Sequence, residues 1–194
     1  MAGYGGNATY IAAATAADVD RFVVSTDQKV GAYTVAVSGA MPTGGAYLIT
    51  ASVTAVDTED TTGTLALVGT DLHGVAQSET ITPEAGSTIS STNYYKTVTS
   101  VTGVGWVVDG VEGNEDTITV GCGAAAACHV GDGVLQRVIV GEAAAGAITI
   151  ADSTGTLAVL KASIGEGVYD FDLAFVDYLT VVGAAATKIT VVTS

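Results

Sequence analysis

Val68-Gly-Thr-Asp71-Leu-His73-Gly74-Val-Ala-Gln77-Ser-Glu79-Thr-Ile81-Thr82 reads as a strand running to Thr70, a tight turn on Asp71 and Gly74, and a second strand in which polar and apolar residues alternate. An aspartate can hold such a turn by accepting backbone N–H groups on its own side chain, and glycine supplies the positive φ, so the stretch is a β-hairpin.

Working outward, similar short runs follow one another. From Arg21 they are Phe22 to Ser25, Tyr33 to Val37, Tyr47 to Val56, Thr64 to Thr70, Val75 to Thr82, Tyr95 to Val101 and Thr117 to Val120, each rich in Val, Ile, Thr or Tyr, with Pro42 and Pro83 outside them. No segment has the length and period of an amphipathic helix. Between Gly121 and Gly133 the pattern stops in a run of Gly, Ala, Cys and His, which is expected to be a linker at 122–133. A second series then covers Val134 to Val140, Ala147 to Ala151, Leu157 to Ala162, Val168 to Leu173, Tyr178 to Val182 and Thr187 to Val192. Its clearest member places Tyr169, Phe171 and Leu173 on one face and Val168, Asp170 and Asp172 on the other, the pattern of a half-buried strand. The expected architecture is all-β: a flexible N-terminal arm (1–20), an N-terminal β-sandwich (21–121), the Gly/Ala linker, and a small C-terminal β-sandwich (134–194), both jelly-roll-like. An arm of this kind either frays or docks on a neighbouring subunit.

Composition bounds the partners. The 194 residues are 48% hydrophobic but only 6% aromatic, with 25 Gly, so thin cores of small side chains are expected. A mean hydropathy of +0.49 argues against disorder. Acidic residues outnumber basic ones by 20 to 6, for a net charge of −14, and the six bases (Arg21, Lys29, Lys96, Arg137, Lys161, Lys188) are scattered. Phosphate neutralisation requires clustered Lys and Arg, so neither nucleic acid nor an anionic membrane surface is an expected partner. Met1 to Ala17 carries no Lys or Arg and no continuous apolar core, so no secretory signal is expected, and the apolar runs fall short of the roughly 18 residues of a spanning helix. Synthesis in a cytoplasm, with Cys122 and Cys128 reduced, is expected.

Little in the sequence suggests chemistry. His73 lies in the hairpin turn and His129 in the expected linker, neither within a recognisable triad motif. Cys122, Cys128 and His129 form C-x5-C-H, but structural zinc sites pair cysteines two to four residues apart with a second pair elsewhere, so free thiols in a linker are expected. Asp57, Glu59 and Asp60 form one acidic loop and Asp109, Glu112, Glu115 and Asp116 another; neither has the spacing of a calcium loop, and both read as solvated. A glycosidase pair of carboxylates drawn from these loops has no supporting groove signal. Trp106, the single tryptophan, reads as a core or interface anchor. No catalytic residue, cofactor site or metal site is assigned.

The hairpin has a further use. It resembles a "G-T-D-x-x-G-x-x-Q-x-E-T-I-T" block of virion structural proteins in tailed bacteriophages and gene transfer agents. There the hairpin is followed by a Gly and Ser/Thr-rich loop, here Ala85 to Asn93, by a strand like Lys96 to Thr102, and by a closing strand like Thr117 to Gly121. Residues 134–194 resemble a second phage module in Leu135 to Val140, Tyr169 to Leu173 and Tyr178 to Val182. The segment Trp106 to Asp116 is an insertion relative to that pattern, so its role is not carried over. The resemblance implies a non-enzymatic virion component. The absence of heptads or long repeats and the acidic character favour a capsid decoration (cement) protein on the outer surface of the head, contacting the major capsid protein and self-associating as a homotrimer. The alternative is a head-fibre or tail-tip component whose C-terminal domain binds a host glycan or receptor through Tyr94, Tyr95 or Tyr178.

Overall fold

The computed structural model of the chain describes residues 7–12, 17–36, 41, 44–56, 60–108, 115–142, 145–183 and 188–194. Among these there is no helix, and the fold is all-β with several antiparallel sheets. The strands in chain order are β1 (Asn7–Ala12), β2 (Asp18–Asp27), β3 (Gly31–Ala32), β4 (Ala46–Thr54), β5 (Thr64–Thr70), β6 (Ala76–Ile81), β7 (Thr88–Tyr95) and β8 (Thr97–Val104). They continue as β9 (Thr117–Val130), β10 (Gly133–Glu142), β11 (Ile148–Asp152), β12 (Gly155–Leu160), β13 (Gly167–Phe175), β14 (Tyr178–Val182) and β15 (Lys188–Thr193).

The chain divides into two compact units, one built from Met1–Ala16, Pro42–Ala46 and Ala124–Ser194, the other from Ala17–Met41 and Tyr47–Gly123. In the second of these, β3, β8, β5 and β6 form one sheet in that order, and β2 pairs with the first half of β9. Phe22, Tyr47, Ile49, Leu65, Leu67, Tyr95 and Ile118 are fully buried there, so this core is not the small-residue layer that composition suggests: three aromatic rings lie in it. In the other unit, the sheet order is β1-β15-β10-β13, and β11 lies between β12 and β14. Leu135, Val138, Val140, Ile148, Ile150, Leu179, Ile189 and Val191 fill its core with aliphatic side chains.

The alternation expected of Val168 to Leu173 is present in β13, where Tyr169, Phe171 and Leu173 are half-buried and Val168, Asp170 and Asp172 exposed. Its partner β10 changes parity midway, with Leu135 buried on an odd number and Val138 and Val140 on even ones. The ladders to both neighbours shift register between Leu135 and Arg137, and one extra residue in a bulge turns the following side chains to the other face.

Four expectations require correction. The Gly/Ala stretch read as a linker is mostly strand: β9 runs uninterrupted from Thr117 to Val130, with Cys122, Ala126, Ala127 and Cys128 buried. Its small residues serve close approach. A Cβ on Gly121 would overlap the Asp18 carbonyl oxygen and the Val19 backbone of β2. The N-terminal arm is in part β1, paired with β15 over six residues from Asn7↔Thr193 to Ala12↔Lys188, and Asp18 to Asp20 already belong to β2. The Ser/Thr-rich loop at 85–93 contains most of β7, which pairs with β4 (Thr50↔Ser90, Ala51↔Ile89, Ser52↔Thr88), while the buried Ser91 hydroxyl accepts the Ile49 N–H at 2.8 Å. Short hydroxyl side chains suit a strand that bonds its neighbour through both backbone and side chain. The strand expected from Tyr33 is absent over Tyr33 to Ala36; Tyr33 is instead a core residue whose hydroxyl accepts the Lys29 N–H at 2.9 Å. Val37 lies outside the described residues.

Candidate functional site

The hairpin at Val68 to Thr82 is built as expected. β5 and β6 pair from Leu65↔Ile81 to Thr70↔Ala76, and Asp71 organises the turn. Its Oδ1 accepts the N–H groups of His73 (2.9 Å) and Val75 (2.8 Å), its own N–H donates to the Val75 carbonyl, and Gly74 stands at φ +82°. An L side chain is strained at that φ, and a residue without an Asp-type acceptor would leave two N–H groups to water.

The second strand carries polar side chains on its inward face. Gln77, Glu79 and Ile81 point to the half-buried side of β6, and Ala76, Ser78 and Thr80 to solvent. Gln77 Nε2 donates to the Tyr94 carbonyl at 2.7 Å. Glu79 accepts the Thr92 N–H on Oε1 at 2.6 Å and the Asn93 N–H on Oε2 at 3.0 Å. These three bonds tie β6, the last strand of its sheet, to β7, whose ladder partner is β4. Burial, and then the nearby Glu79 charge, push the Tyr95 hydroxyl up to about 12. The Gln and Glu of the motif are therefore structural clamps. Two polar residues two apart on the face that ends in Ile81 were the signal for this, visible only once the inward face was known.

The two histidines are far from equivalent. His73 is exposed in the turn. Nδ1 of His129 lies 2.8 Å from Thr193 Oγ1, and its ring meets Phe175 edge-on with centroids 5.0 Å apart. A hydroxyl on an imidazole is half of a nucleophile–base pair, but Thr193 is only 1% exposed, so its oxygen is closed to a substrate. The pair stitches β9 to β15, beside the bond from Thr9 Oγ1 to the Cys128 carbonyl. On an extended strand, six residues put Cys122 and Cys128 roughly 20 Å apart, so the C-x5-C-H spacing cannot converge on one metal ion. Burial pushes both thiols up, Cys128 to about 12, and the Cys128 thiol donates to the Leu179 carbonyl. Neither is an activated thiolate.

The acidic loops are not wholly solvated. Asp60 and Asp116, 8% and 3% exposed, are brought together: the Asp116 N–H donates to Asp60 Oδ2 at 2.8 Å, and Asp116 Oδ1 accepts the Val56 N–H at 2.7 Å. Glu115 is half-buried, and Asp57, Glu59, Asp109 and Glu112 lie outside the described residues. Trp106 is buried, donates its indole N–H to the Thr64 carbonyl at 3.1 Å, and packs on Gly103. Of the tyrosines considered for a glycan, Tyr95 is fully buried and Tyr94 and Tyr178 half-buried.

No protein family, curated protein or solved structure matches the chain.

Proposed function

We propose that this chain is a non-enzymatic structural component of a tailed-bacteriophage virion, a decoration protein that sits on the outer surface of the head and stabilises the shell. The carrying observation is the motif hairpin. Asp71 and Gly74 form its turn and Gln77 and Glu79 clamp its second strand, so the residues behind the virion resemblance are those that build a β scaffold. Two small jelly-roll-like sandwiches, self-associating as a homotrimer around a shell symmetry axis, complete this reading. The net charge of −14 suits a position away from packaged DNA. The contacted partner is the major capsid protein.

The test is location and effect. Purified particles that contain the protein are imaged, and particles made without it are compared before and after adding it back. Extra density at three-fold positions on the head, together with restored heat resistance, is the expected result. Density on the tail refutes the decoration role. Light scattering on the isolated chain tests the trimer, and a clean monomer at micromolar concentration counts against it.

One observation favours a second reading, a head-fibre or tail-tip component with a glycan site in the C-terminal region. Gln136, Arg137, Asp170, Phe171 and Asp172 line a shallow depression on β10 and β13, combining an aromatic ring with hydrogen-bonding groups. Binding of the full chain on a glycan array, lost in Phe171→Ala, supports this reading; silence supports decoration.

A further inference from the structure

β13 ends its sheet. It pairs with β10 along one side, and no other strand among the described residues pairs with it. A terminal strand of nine residues presents a row of free N–H and C=O groups, and such edges are commonly kept short or broken by proline. β13 is neither short nor interrupted by proline.

Its side chains are also only partly covered. Leu135 and Val138 of β10 are fully buried, yet the residues opposite them, Leu173 and Tyr169, are half-buried, as is Phe171 between those two. Burial falls off from β10 to β13, which leaves an apolar row half open on the terminal strand. The other face of β13 carries Asp170 and Asp172, both exposed. Asp170 lies 3.5 Å from Arg137 across the ladder, whereas Asp172 has no ion pair among the described residues. Where the β10 and β13 ladder shifts register, Gln136, Arg137, Asp170, Phe171 and Asp172 line the shallow depression.

A strand added to such an edge is held by main-chain hydrogen bonds and selected through its alternate side chains. On β13 one alternate set meets Tyr169, Phe171 and Leu173 and must be apolar; the other lies beside Asp172 and is best met by Lys or Arg. A second copy of this chain does not meet that demand. An antiparallel pair of β13 strands would bring Asp170 and Asp172 of both copies together on one face, and like charges across a strand pair are destabilising. No two of the six bases in the sequence stand two residues apart, so no other strand of the chain supplies the basic set.

We infer that the free edge of β13 is a docking site for an extended segment of another protein in which apolar residues alternate with Lys or Arg. The site lies within one compact unit and does not depend on the virion reading.

The experiment uses the full chain and two peptides of the length of β13 and identical composition, one alternating Val with Lys, the other with the same residues in two blocks. Their equal charge separates strand pairing from general attraction to a chain of net charge −14. The alternating peptide is expected to bind with a Kd below about 1 mM, at least about ten-fold more tightly than the block peptide, and to slow amide hydrogen exchange over residues 167–175. Asp172→Asn, at an exposed position, is expected to weaken the alternating peptide about two- to five-fold and to leave the block peptide unchanged. No saturable binding up to about 1 mM, equal affinity for the two peptides, protection confined to other strands, or an affinity that Asp172→Asn leaves unchanged each overturns the inference. So does slow exchange over all of β13 in the free chain that is lost on dilution, which would assign the edge to a second copy.

Discussion

Because residues 117–130 form one strand, two glycines two residues apart in it should respond oppositely to alanine. Gly121 and Gly123 lie on the same face of β9, yet they differ in what a methyl group would meet. At Gly121 an added Cβ overlaps the Asp18 carbonyl oxygen and the Val19 backbone, so β2 must move away from β9 or β9 must bend. Backbone cannot yield as a flexible side chain does, and overpacking of this kind costs about 1–3 kcal/mol. At Gly123 the nearest atom is the Leu48 carbonyl oxygen at 3.9 Å, an ordinary contact. Alanine there lowers the entropy of the unfolded chain and stabilises by about 0.4–1 kcal/mol. The two substitutions therefore differ in sign, with a gap of roughly 1.4–4 kcal/mol, or about 3–16 °C in Tm for a chain of this size. Urea unfolding followed through Trp106 fluorescence measures it, with Gly121→Ala shifted to lower urea and Gly123→Ala to equal or higher urea. In a flexible linker both alanines would be near neutral, so equal midpoints for the two variants would refute the strand and its pairing with β2.

Glu79→Ala removes both acceptors of the Thr92 and Asn93 N–H groups and should cost about 1–3 kcal/mol, with Glu79→Gln, which keeps one acceptor, losing about half as much; urea midpoints indistinguishable from wild type would show that the clamp contributes nothing. Because burial raises both thiols, Cys122 and Cys128 should be inert to an aromatic disulfide reagent at pH 8 in native protein and should both react once urea unfolds it; rapid labelling of the folded chain would contradict the buried strand. Asp152, in the turn between β11 and β12, is held below the usual carboxylate range chiefly by the Thr154 hydroxyl, against the opposing effect of burial, with further help from the N–H groups of Thr154, Val176 and Gly155. Its stabilising effect is therefore fully present above the unfolded aspartate value of about 4 and disappears as pH falls through the lower folded value, so Asp152→Asn should flatten the acid limb of the Tm profile; unchanged acid limbs would refute this.

Much of the fold was legible because its signals are local. The Asp71 and Gly74 turn, the β5 and β6 hairpin and the alternation of β13 each depend on side-chain type over two to six residues, and the folded chain builds all three. The Ser/Thr-rich β7 was missed because hydroxyl residues serve loops and strands alike, and only its pairing with β4 decides between them. The Gly/Ala stretch was misread for a related reason: glycine signals freedom in an isolated chain, but in β9 it permits backbone from β2 to approach.

What the sequence by itself determined is therefore the all-β class, most of the strands, and the turn chemistry that orients the motif hairpin. What only the tertiary structure decided is which distant segments meet: β1 with β15, Glu79 with the backbone of β7, Gln28 with Asp116, and Asp116 with Asp60. Periodicity reports which face of a strand is apolar, but it carries no information about the partner across the sheet. Whether a carboxylate is solvated or buried depends on that partner, and so the two acidic loops, read separately as solvated, gave no sign that Asp60 and Asp116 would be buried and joined through the Asp116 N–H.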